Sequence, residues 1–61
     1  MSEREVEVLR LVAEGLTGKE TGQQLFISPR TVENHITSLF NKLDVDSRAR
    51  LVAVATRTGI V

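Results

Sequence analysis

The sequence predicts an all-α domain, a four-helix bundle that contains a helix-turn-helix. Three observations carry that expectation. Helix-start signals recur at Ser2, Thr17, Ser28 and Ser47, each a hydroxyl residue placed just ahead of a helical segment. The longest segment, SPRTVENHITSLFNKL, spaces Val32, Ile36, Leu39, Phe40 and Leu43 as one stripe of a 3.6-residue period. The second and third starts are separated by a short apolar link, so two helices follow one another across a turn of about three or four residues.

The first helix opens with Ser2 and Glu5, an S-x-x-E capping box in which each residue satisfies a free amide of the other. Val8, Leu9, Leu11 and Val12 form its apolar face, with Met1 available to pack at the start. Arg4, Glu7, Arg10 and Glu14 point outward, and Glu7 and Arg10 are spaced to pair across one turn. Gly15 ends the helix, since glycine takes the left-handed geometry common after a helix C-terminus. Thr17 and Glu20 make a second capping box. The helix that follows runs to Gln24 or Leu25 and is weak on propensity, because Gly22 in its interior costs about 1 kcal/mol relative to alanine. A glycine there also fits a close helix–helix approach. Phe26 and Ile27 form the link to the third helix, and both Phe26 and Phe40 are expected in the core.

Ser28 caps the third helix and Pro29 takes its first position, where a missing N–H costs nothing. It runs to Leu43. Asp44, Val45 and Asp46 form a brief polar link around one apolar residue, and Ser47 caps a fourth helix that reaches about Thr58. Leu51, Val52 and Ala55 share its inner face, Ala49 and Ala53 lie opposite, and Val54, Arg50 and Arg57 lie to the side. Gly59 stops it, and Ile60 and Val61 are placed to fold back as an apolar tail.

Sixty-one residues make one small domain with a marginal core, spanning 1–61 and expected to be excised from a larger regulator. There are no cysteines, hence no disulfide and no thiolate metal site, and a cytoplasmic setting is compatible with that. No apolar run is long enough to span a membrane. The net charge is zero, which argues against a highly basic, non-specific nucleic-acid binder. The charge is nevertheless uneven. Residues 1–29 hold three basic against five acidic side chains, for −2, and residues 30–61 hold five against three, for +2.

The positive half contains the third helix. Opposite its apolar stripe lie Arg30, Asn34, Thr37 and Asn41, with Glu33 and Ser38 at the margins. A short, polar outer face rich in donors and acceptors suits the reading of base edges in a DNA major groove. On that helix alone an ordinary solvated face is the commoner explanation; the capped helix before it shifts the balance.

Three ordered stretches, SEREVEVLRLVAEGLTGKE, LFISPRTVENHITSLFNKLDV and SRARLVAVATRTGIV, together resemble the C-terminal DNA-binding domain of LuxR-type transcription regulators, the group with NarL- and FixJ-type response regulators. The resemblance covers essentially the whole chain without a gap. It implies a tetra-helical LuxR-type bundle whose third helix enters the major groove and whose fourth commonly mediates dimer contact. Carried over residue by residue, it places base contacts on Glu33, Asn34 and Thr37, and phosphate contacts near Lys19, Ser28, Arg30, Thr31, Lys42, Ser47 and Arg48. It assigns the dimer contact to the fourth helix, for which Arg50, Ala53, Val54 and Arg57 are the candidate residues. Double-stranded DNA, a weak homodimer and contact with RNA polymerase are the partners it implies, with no cofactor and no metal. Many members carry lysine at the positions of Glu33 and Thr37, and an isoleucine–alanine pair at Thr21 and Gly22, which here suggests a looser second helix. Asp44 stands where glycine is frequent, and aspartate tolerates the positive φ of such a corner.

No enzyme reading has a constellation behind it. His35 is the only histidine and lies between the polar and apolar faces, where a structural or phosphate-proximal role outweighs a metal site. No serine, histidine and carboxylate set and no glycine-rich phosphate loop is present. With both phenylalanines assigned to the core, stacking on single strands is disfavoured. The alternative to a DNA-binding domain is a helical protein–protein interaction module with little DNA affinity, supported by the neutral charge and by Glu33.

Overall fold

The structure, a computed structural model, describes residues 1–59. Four helices follow in order: α1 Glu3–Ala13, α2 Gly18–Leu25, α3 Pro29–Leu43 and α4 Arg48–Thr58, with no strand among the described residues. Each starts where a hydroxyl accepts a backbone amide. Ser2 takes the amide of Glu5, Thr17 that of Glu20, Ser28 that of Thr31 and Ser47 that of Arg50. Ser2 and Thr17 close full capping boxes, their own amides donating to the Glu5 and Glu20 carboxylates at 3.1 and 2.9 Å.

Val8, Leu9, Val12, Val32, Ile36, Leu39, Leu51 and Ala55 form the buried core, and Leu25, Ile27, Phe40, Leu43, Val45 and Val52 pack against it half-buried. α1 and α3 each touch all three other helices, so α3 is held on one side along its length while its other side stays open.

The joint between α2 and α3 is made by backbone. A Cβ on Gly22 would sit 2.5 Å from the carbonyl oxygen of Ile27, so the link that leads into α3 lies directly against the α2 main chain. The Gly22 carbonyl accepts the amides of both Phe26 and Ile27. The close approach expected of this glycine is therefore to the turn and the start of α3, and α2 is fastened at this point rather than loose. Thr21 beside it is fully buried, and its hydroxyl has no hydrogen-bond partner.

Three sequence expectations are corrected. Phe26 is not in the core: it is 94% exposed and caps α2 in the left-handed region at φ 59°. Reversing the chain there needs that backbone conformation, and it turns the ring away from the bundle. Met1 is half exposed and contributes little packing. Glu7 pairs with Arg4 at 3.6 Å, one turn back, rather than with Arg10. Asp44 does take the positive φ expected of its corner, at 55°. The apolar tail expected of residues 60 and 61 lies outside the described residues.

Candidate nucleic-acid interface

The outer side of α3 is a continuous exposed strip. Arg30, Glu33, Asn34, Thr37 and Asn41 are all exposed, while Val32, Ile36 and Leu39 on the opposite side are 0–2% exposed. Fifteen helical residues make a rod of about 22 Å. Its rotation is fixed by the buried stripe, and the polar strip is fixed with it. At its start the Ser28 hydroxyl accepts the Thr31 amide at 3.1 Å and shares a 2.9 Å hydrogen bond with the Thr31 hydroxyl. The two candidate phosphate-contacting hydroxyls therefore already form a unit. Lys19 is exposed in the first turn of α2 and Ser47 is half-buried as the α4 cap. His35 is half-buried at the edge of the strip, and no group of three or more metal-ligating side chains occurs among the described residues.

Two of the candidate cations have internal partners that the sequence reading did not assign. Lys42 Nζ lies 2.6 Å from Glu5 Oε1 and joins the last turn of α3 to the first turn of α1. Glu5 is only 4% exposed. Its carboxylate also accepts from Ser38 and from the Ser2 backbone. The hydrogen bond from Lys42, then those from Ser38 and Ser2, lower its pKa from an ordinary 4.5 to about 2, against a smaller opposing effect of burial. Lys42 is half exposed at this site, and pairing outweighs desolvation. Arg48 Nη2 lies 3.4 Å from Glu33 Oε1, linking the start of α4 to the outer strip of α3. A third pair, Arg50 with Asp46 at 3.4 Å, sits on the exposed flank of α4.

On α4, Arg50, Ala53 and Arg57 are exposed and Val54 is half-buried. They line one shallow groove together with Asp44 and Val45. The side chains that sequence reasoning missed are Glu5 and Glu33 as ion-pair partners and Phe26 as a surface residue. The capping box already accounted for Glu5, and its cation lies 37 positions away. Position 26 read as apolar linker because hydropathy carries no information on φ.

Residues 1–55 match the family model described as bacterial regulatory proteins, luxR family. The chain belongs to the luxR family. Its DNA-binding helix-turn-helix domain is of the kind found in transcription and response regulators. The luxR-family chain is 46% identical over 61 residues to transcriptional regulatory protein LiaR of Bacillus subtilis, covering all of this chain and 29% of that protein. It is 42% identical over 61 residues to oxygen regulatory protein NreC of Staphylococcus haemolyticus, covering 28% of it. Its fold matches the solved structure of the transcription factor GerE with a TM-score of 0.91 at 33% identity, over 98% of this chain and 90% of that one. It also matches the response regulator ChrA of a heme-sensing two-component system with a TM-score of 0.93 at 33% identity, over 98% of this chain and 30% of that one. The luxR-family chain thus spans less than a third of the length of these curated relatives.

Proposed function

We propose that this domain binds double-stranded DNA sequence-specifically to regulate transcription, with α3 in the major groove. The observation that carries this reading is the exposed donor-and-acceptor strip of α3 set rigidly against a fully buried opposite face. Asn34 can bond an adenine edge through both its amide groups, Glu33 can accept from a cytosine amino group, and Thr37 can reach either edge or a thymine methyl. Lys19, Ser28, Arg30, Thr31, Ser47 and Arg48 surround that strip as phosphate contacts, which fix register without specifying sequence. Lys42, 47% exposed, joins them through the ammonium N–H groups that Glu5 does not take up.

The same reading pairs two copies through α4, using Arg50, Ala53, Val54 and Arg57. Pairing sets the two reading helices about 34–36 Å apart on one face of the DNA. The length of the relatives supports a domain that works within a longer regulator, and contact with RNA polymerase belongs to that same reading.

The test is selection of bound duplexes from a random pool at two salt concentrations. Enrichment of paired half-sites is the expected result, with their symmetry reporting that of the dimer. Salt-sensitive retention without enrichment would leave phosphate contacts alone. No retention at low salt would favour a helical module that contacts protein instead.

A further inference from the structure

The pair between Glu33 and Arg48 joins two side chains that the DNA-binding reading assigns to different tasks, one to bases and one to phosphates. Three elements meet there. Glu33 is on the outer strip of α3, Arg48 is the first residue of α4, and Gly18 is the first residue of α2. A Cβ on Gly18 would stand 3.0 Å from Glu33 Oε1 and 3.9 Å from Arg48 Nη2, so the carboxylate lies against the bare α2 backbone with the guanidinium beside it. Both side chains remain exposed, at 60% for Glu33 and 43% for Arg48, so the pair is open to exchange with an outside anion.

We propose that Glu33 is an internal competitor for Arg48, occupying with its carboxylate the guanidinium that a backbone phosphate takes when DNA binds. This rests on the DNA-binding reading and deepens it. A carboxylate and a phosphate oxygen present the same acceptor to a guanidinium. A phosphate that takes the Nη2 edge of Arg48 displaces Glu33. Where no cytosine amino group lies within reach, as in most registers on a random duplex, displacement would leave the carboxylate facing the negatively charged backbone without a donor, so the pair persists and Arg48 makes no phosphate contact. On a site that offers a cytosine amino group within reach, Glu33 gains a new partner as Arg48 is released. Base recognition and phosphate clamping are then coupled through one side chain, and non-specific binding is penalised more than specific binding.

The experiment measures affinity for a random duplex and for the selected duplex over a salt series, using the intact chain, Glu33→Gln, Arg48→Ala and the double variant. Glu33→Gln is expected to bind random duplex about two- to fivefold more tightly, the range that release of one exposed pair commands. The slope of log K against log salt on random duplex should steepen by about 0.9, one further phosphate contact. In the Arg48→Ala background the same change should give a smaller gain and no change in slope. A gain of equal size in both backgrounds would mean that Glu33 acts only as a diffuse negative charge, and would overturn the proposal. An unchanged affinity on random duplex would overturn it as well. If no form of the chain is retained on any duplex at low salt, the DNA-binding reading falls and takes the proposal with it; retention with unaltered salt slopes removes the proposal alone. Urea denaturation of the four forms checks that each is folded at the binding temperature.

Discussion

Replacing Glu5 with glutamine tests how α3 is fastened to the bundle. The carboxylate joins the first turn of α1 to the last turn of α3 through Lys42 at 2.6 Å, with Ser2 and Ser38 supplying further donors. A fall in pKa from 4.5 to about 2 corresponds to at most about 3 kcal/mol of folding stability at neutral pH. Lys42 is 47% exposed, and solvent screening reduces this to about 1–2 kcal/mol. Because the folded state holds the proton less tightly than the unfolded chain, the contribution is complete above about pH 5. It fades as the pH falls from 4.5 towards 2. Glu5→Gln lacks it at every pH. Urea denaturation followed by far-UV circular dichroism should therefore show the variant weaker by about 1–2 kcal/mol at neutral pH, with the gap to the parent closing between about pH 5 and pH 2. A gap that stays constant over that range, or no loss at neutral pH, would refute the assignment of the stability to an ionised clamp.

Thr21→Val should stabilise the domain by about 1 kcal/mol, because it keeps the shape and removes a fully buried hydroxyl without a partner; a lower urea midpoint would show that the hydroxyl is satisfied in solution. Phe26→Asn should raise stability by about 0.5–1 kcal/mol, since asparagine tolerates φ near 59° and no buried area is lost from a ring 94% exposed; an unchanged melting temperature would argue against strain there. Asn34→Ala should weaken binding to the selected duplex by about 1–3 kcal/mol while leaving random duplex unaffected, and equal losses on both would remove it from base reading. Lys42→Ala should weaken all duplexes alike and also lower stability through loss of its pair with Glu5, which binding and denaturation curves measured together separate.

Most of the fold was legible because its determinants are local. The four caps are hydroxyl residues at fixed offsets from the amides they bind, and the core stripe of α3 follows from helical period alone. The exposed strip was legible for the same reason: once Val32, Ile36 and Leu39 face inward, Arg30, Asn34, Thr37 and Asn41 have nowhere else to point. What escaped depends on long-range geometry or on backbone conformation. Lys42 finds Glu5 across 37 positions, and Arg48 finds Glu33 across 15, neither at a spacing that a helix encodes. Phe26 reads as a core residue until its φ is known, and Glu7 had two arginines within one turn with nothing in spacing to choose between them.

The contact between the Gly22 backbone and the Ile27 carbonyl bears on how such a domain diversifies. The crossing of α2 with α3 is set by main-chain atoms that no surface substitution alters. Asn34 and Thr37 lie exposed on the far side of α3, away from that contact. Asn34 and Thr37 can be exchanged for other side chains while the frame that aims them stays in place. On the proposed DNA-binding reading, target preference at Asn34 and Thr37 is then separate from the residues that set the helix crossing, and a new operator can be acquired by changing those two positions without touching the frame.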